Sequence, residues 1–240
     1  QTLTIKSAPA GRLGAGEGFF LADKLEFLDS AGEWYYDASS RTVYLWTPSG
    51  DSPENYSVRG AVFDNGVNIS SKNYITIKEL AILHSGVDAI YISKGSYITI
   101  SDNIIDSPDL RGIHIPSGGS SNTTIINNKI YNANANGMRL YSSSSVISDN
   151  LVENTGIFEN INKTTTAGDN FGTGIFSRSS NVTITYNQVI NSGYDGINFY
   201  GENTSVKYNY INGACLVLDD GGGIYTYNGS NYSATASRGS

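Results

Sequence analysis

The chain has 240 residues, with 15 Lys and Arg against 22 Asp and Glu and a net charge of −7. An acidic surface argues against nucleic acid as a partner, because phosphate binding needs clustered cations, and no apolar run approaches the roughly 20 residues of a spanning helix. One cysteine, Cys215, excludes an internal disulfide or a multi-thiolate metal site, while 25 Asn, 27 Gly and 17 Tyr favour strands and tight turns over helices.

Residues 1–66 form an N-terminal segment that fits no repeat. Within it, Glu33-Trp-Tyr-Tyr-Asp37 and Thr42-Val-Tyr-Leu-Trp46 are strand-like runs joined by Ala38-Ser-Ser-Arg41, which predicts an antiparallel hairpin. Trp34 and Trp46 are expected to pack this hairpin onto the rest of the chain. Pro48, Gly50 and Pro53 mark a turn-rich exit.

From residue 67 to 240 the chain repeats itself. An Asn-x-[Ile/Val] motif recurs at Asn103, Asn128, Asn150, Asn187 and Asn209, at spacings of 25, 22, 37 and 22, and Leu80 holds the same place one repeat earlier. A Gly-led strand keeps step with it: Gly112-Ile-His-Ile115, Gly137-Met-Arg-Leu140, Gly174-Ile-Phe-Ser177, Gly196-Ile-Asn-Phe199 and Gly223-Ile-Tyr-Thr226, preceded by Ala89-Ile-Tyr-Ile92. Another strand precedes each Asn, as in Tyr74-Ile-Thr-Ile77 and Tyr97-Ile-Thr-Ile100. Three period-2 strands in 22 to 25 residues leave no room for a helix. The fold class is therefore all-β, a right-handed parallel β-helix in which each strand pairs with its copies above and below. The Asn residues are expected to stack in a ladder at one corner, which satisfies their buried amides.

The 37-residue step contains an insertion at 156–172, a candidate functional loop. The last coil begins at Ile224 and stops before another Asn-x-Ile turn. The chain is thus expected to be a piece of a longer protein, whose end further coils or another chain would cover.

The runs Gly18 to Asp29, Gly32-Glu-Trp-Tyr-Tyr-Asp37 and Val43-Tyr-Leu-Trp46, with Asp219-Asp-Gly-Gly-Gly-Ile-Tyr-Thr226, carry a resemblance. They resemble segments of the pectate-lyase-like right-handed β-helix proteins, secreted bacterial glycoside hydrolases and polysaccharide lyases among them. That resemblance implies the β-helix fold, a secreted or cell-surface location and carbohydrate chemistry, with the Asp-Gly-Gly stretch as the better place for an active-site acid. The same scaffold also serves adhesins and fibres.

Alternation along the Gly-led strand turns Tyr91, His114, Arg139, Phe176, Asn198 and Tyr225 toward solvent, and two positions on come Tyr141, Arg178 and Tyr200. Aromatic rings among hydrogen-bonding and cationic groups suit a polysaccharide. Glycoside cleavage needs two carboxyls roughly 5–5.5 Å apart in retaining enzymes or 6.5–9.5 Å in inverting ones. Asp195 precedes Gly196, and Asp219 and Asp220 precede the equivalent Gly223, so adjacent coils would bring them together as catalytic residues. A lyase would instead use a base such as His114 beside Arg139 or Arg178. No cofactor is expected; Ca²⁺ at Asp219 and Asp220 is the weaker alternative, since no ligand spacing demands it. The competing reading is a non-catalytic surface, adhesin or fibre module.

Overall fold

The computed structural model describes residues 24–158 and 171–226. Most of the insertion expected to be functional lies outside the described residues, as does the chain beyond Thr226. The chain divides into two units, Gln1–Gly60 and Ala61–Ser240. The boundary falls earlier than the repeat pattern suggests, because the chain already pairs with the next coil there: Gly86 and Val87 N–H donate to the carbonyls of Phe63 and Asp64.

The first unit holds the expected hairpin, Trp34–Asp37 paired antiparallel with Thr42–Leu45. Trp34 is 68% exposed and Trp46 43%.

The second unit is a right-handed parallel β-helix with three strands per coil. The Gly-led strands are Asn65–Ser70, Asp88–Ser93, the first half of Arg111–Ile126, Asn136–Ser143, Ile175–Arg178, Ile197–Tyr200 and Ile224–Tyr225. The second set runs Thr76–Lys78, Ser96–Ser101, the second half of Arg111–Ile126, Val146–Ser148, Thr183–Thr185 and Ser205–Lys207. The third, starting just after each ladder position, runs Ala81–Leu83, Ile104–Asp106, Lys129–Tyr131, Leu151–Thr155, Gln188–Ser192 and Tyr210–Asn212. Every pairing within these sets is parallel and joins equivalent repeat positions.

Inward residues stack into one continuous core. Ile90, Ile113, Met138, Ile175 and Ile197 lie in one register row, all fully buried. Each buried side chain of this size contributes about 1.5–3 kcal/mol.

The Asn ladder is continuous from Asn103 to Asn209. Each Nδ2 donates to the Oδ1 of the next Asn, at 2.9, 3.0, 2.9 and 3.0 Å up the series. That same Oδ1 also accepts from the backbone N–H of the previous rung. The second amide hydrogen reaches a carbonyl of the coil before, such as Ile100 or Ile125. Leu80 cannot continue this pattern, and its N–H is the donor to Asn103 Oδ1. The residue before each rung turns the corner in left-handed conformation: Asp102, Asn127 and Asp149 at φ 57°, types that tolerate it well, then Tyr186 and Tyr208 at 58° and 57°.

A second ladder follows the third strand. Asn132 donates to Asp106, Asn154 to Asn132, and Asn191 to Asn154. Its rungs 132, 154 and 191 repeat the spacings of 22 and 37 seen in the first. The insertion leaves the coil at Gly156 and rejoins it at Gly172. A Cβ on Gly156 would lie 2.4 Å from Gly172 Cα, and Gly156 has φ +58°, so glycine is required there.

Asn150→Ala should cost about 3 kcal/mol, because it strands backbone partners on two coils in a buried site, whereas Lys129→Ala on an exposed strand position should change stability by less than about 0.5 kcal/mol. Urea unfolding of the two variants beside the parent checks both; equal effects would mean the ladder is not a source of stability.

Candidate functional site

The outer row of the Gly-led sheet runs in register as expected: Tyr91, His114, Arg139, Phe176, Asn198 and Tyr225 occupy successive coils. The expectation that this row faces solvent is corrected. His114 is 8% exposed, Phe176 2% and Asn198 1%; only Tyr91, Arg139 and Tyr225 are partly open. Large neighbours on the same face do the covering. Phe176 lies between Tyr141 and Tyr200, with ring centroids 5.8 and 6.0 Å away. The Arg139 guanidinium stands 5.2 Å from the Tyr141 centroid and 5.6 Å from that of Phe176, and Arg178 stands 5.5 Å from Tyr200. Arg139 also donates to the Tyr141 hydroxyl at 3.2 Å. These side chains therefore form one fused platform, with Tyr141, Tyr200 and Arg178 keeping exposed area.

The position before each Gly builds a polar row that sequence reasoning passed over: Asp88, Arg111, Asn136, Thr173 and Asp195, all buried. The signal was available as the polar residue preceding Ala89, Gly112, Gly137, Gly174 and Gly196. Glycine at the next position is a matter of close packing, since a Cβ on Gly137 would lie 2.3 Å from Val152 and 2.6 Å from the Gly174 carbonyl oxygen.

Two acids of this row organise the face. Asp88 accepts from Arg111 at 3.3 Å and from His114 Nδ1 at 2.7 Å, and Tyr91 packs edge-on against the His114 ring at 5.4 Å. At the other end, Asp195 accepts from Asn198 Nδ2 through one oxygen and from the Gly222 N–H, 2.9 Å away, through the other. Asp195 is fully buried. Burial pushes its carboxyl above the ordinary value of 3.8, and the nearby Asp220 charge adds to this against the two hydrogen bonds. Tyr194, whose hydroxyl donates to the Asp220 carbonyl, is pushed up to about 12 by burial and by the charges of Asp195 and Asp220. Asp219 and Asp220 themselves are exposed. Asp195 and Asp220 are thus near enough for the charge of one to act on the other, yet unequal, Asp195 sealed under the turn and Asp220 open to solvent.

Among the described residues, no cluster of three or more His, Cys, Asp or Glu side chains could hold a metal ion. A shallow depression in the N-terminal unit is lined by Leu25, Leu28, Tyr44, Trp46 and Asp51; none of the candidate site residues borders it.

A family model described as right handed beta helix region matches residues 54–238. The chain belongs to that family. No curated protein and no solved structure matches it. In this right-handed β-helix the Gly-led sheet carries the Tyr141, Phe176 and Tyr200 group, Arg139, Arg178 and the buried acid row, so its outer face is the candidate site. Two further stacked pairs, Tyr74–Tyr97 and Tyr186–Tyr208, lie along the second strand set.

The raised pKa of Asp195 has a stability consequence. Because the native chain keeps this proton where the unfolded chain has lost it, the Asp195 contribution is present below 3.8 and is lost as pH rises through the raised value. The stability of the parent minus that of Asp195→Asn should therefore be larger at about pH 4.5 than at about pH 7. Urea unfolding at both values measures it, and a difference that does not change with pH would show that Asp195 ionises normally.

Proposed function

We propose that this protein is an extracellular carbohydrate-active β-helix protein that holds a polysaccharide along the outer face of its Gly-led sheet and cleaves it as a glycoside hydrolase. The observation that carries this reading is the fused platform of Tyr141, Phe176 and Tyr200 with Arg139 and Arg178 between and beside the rings. Aromatic faces stack on the apolar faces of sugar rings, and guanidinium groups donate to hydroxyl or carboxylate oxygens in the same plane. The likeness of the N-terminal segment and of Asp219 to Thr226 to pectate-lyase-like proteins supports the same substrate class.

For cleavage, Asp195, Asp219 and Asp220 are the acids in position at the C-terminal end of the platform. Burial raises the Asp195 carboxyl, the direction a general acid needs, and an exposed carboxylate at Asp220 or Asp219 has the character of its basic partner. One observation favours a second reading, a glycan-binding scaffold without catalysis. Both Asp195 oxygens already hold structural hydrogen bonds, and the side chain has no exposed surface.

Incubation with a panel of plant and bacterial polysaccharides, reading both affinity and release of new reducing ends, separates the two. Tyr141→Ala and Tyr200→Ala should each weaken binding of a recognised glycan by about fivefold to tenfold, the loss of one aromatic stacking contact. Asp219→Asn with Asp220→Asn should abolish release of reducing ends while leaving affinity in place. Unchanged turnover in that double variant would remove the carboxylate assignment. Binding without any turnover in the parent would leave the scaffold reading standing.

A further inference from the structure

The two acids of the buried polar row do the same job at opposite ends of the platform. Each fixes the orientation of an outer-row side chain and leaves that side chain with one bare acceptor. A carboxylate only accepts, so Asp88 Oδ2 holds the hydrogen on His114 Nδ1, and in the neutral ring Nε2 is left as a lone pair. Likewise Asp195 Oδ2 takes the Nδ2 group of Asn198, which fixes the amide and leaves Oδ1 as an acceptor. His114 Nε2 and Asn198 Oδ1 are both buried and both without a hydrogen-bond partner. A buried acceptor left bare is costly, and here two of them share one register row, each beside an acid of the buried polar row.

We propose that His114 Nε2 and Asn198 Oδ1 are two hydroxyl-accepting subsites for one sugar chain running along the solenoid axis, with Asp88 and Asp195 as their positioning residues. This rests on the glycan-binding reading above and specifies its chemistry: the ligand presents a free hydroxyl hydrogen at each end of the platform. His114 and Asn198 are separated by three coil steps, through Arg139 and Phe176. At about 4.7–4.9 Å per step this is roughly 14 Å, a span that a single monosaccharide does not bridge. Arg111 bonds the second oxygen of Asp88, so that the carboxylate is held from both sides. Tyr91 is partly exposed and packs edge-on against the His114 ring, so its ring must turn aside for a hydroxyl to reach Nε2.

The chain has only two histidines, His84 and His114, so ¹⁵N-histidine labelling reads the site in the unaltered protein, with His114→Gln to assign the signals. The probes are xylohexaose, cellohexaose, mannohexaose and hexagalacturonate, with calorimetry to identify which of them binds. The bound hexasaccharide should move the His114 Nε2 resonance and leave His84 in place, and its O-methylated form should bind at least about tenfold more weakly. Binding with an unmoved His114 signal would overturn the two-subsite proposal while leaving glycan binding intact. Undiminished binding of the O-methylated chain would do the same. If none of the four hexasaccharides binds, the glycan reading itself fails and the subsites fall with it.

Discussion

Stacking identical coils forces polar backbone into the interior wherever the chain turns a corner, and every other feature of this protein depends on how that cost is met. At the ladder corner the solution, from Asn103 onward, is an asparagine on each coil. Its amide has two donors and an acceptor with two lone pairs, enough to serve the coil above, the coil below and the turn itself. From Asn103 to Asn209 each rung bonds the next, and the inner rungs are buried with their amides in use. Since a rung can pair only with a rung, the ladder also fixes register. A coil slipped by one residue would break two amide contacts and turn its isoleucines outward.

Fixed register is what makes a functional face out of a repeated strand. Side chains at one repeat position become neighbours about 4.8 Å apart, so residues distant in sequence fuse into continuous rows. Tyr141, Phe176 and Tyr200 touch because their coils are stacked, and Arg139 fits between rings for the same reason. The same rule places Asp88 below His114, whereas Asp195 meets Asn198 three residues on within one coil. A carboxylate in the row before the glycine can reach the outer row, whereas the glycines themselves are held by packing so close that no side chain fits.

The insertion between Asn150 and Asn187 shows how much the scaffold tolerates. Its two ends meet at Gly156 and Gly172, and the coil resumes with Gly172 N–H bonding the Ala135 carbonyl as an uninterrupted coil would. Extra chain can thus be added at a corner without disturbing the register of the face, since loop length costs little once its ends are fixed.

The fold is legible in the amino-acid sequence alone. Asn-x-Ile and Gly-Ile-x-x recurring at 22 to 25 residues specify coil length, strand number and which residues face inward, because period-2 alternation and a fixed repeat admit no other stacking. The same pattern identifies which residues share the outer row, from Tyr91 to Tyr225. How open that row is lies beyond it. Alternation gives direction, not accessibility, and burial of His114, Phe176 and Asn198 comes from neighbours on other coils that only the assembled sheet brings over them. The acids separate for the same reason. Asp195 and Asp220 both belong to turns before a glycine, yet one is sealed by Asn198 and Gly222 and the other stands in solvent. The environment of a carboxyl, and hence its proton affinity, is a property of the surrounding atoms, and those are assembled only when the coils stack.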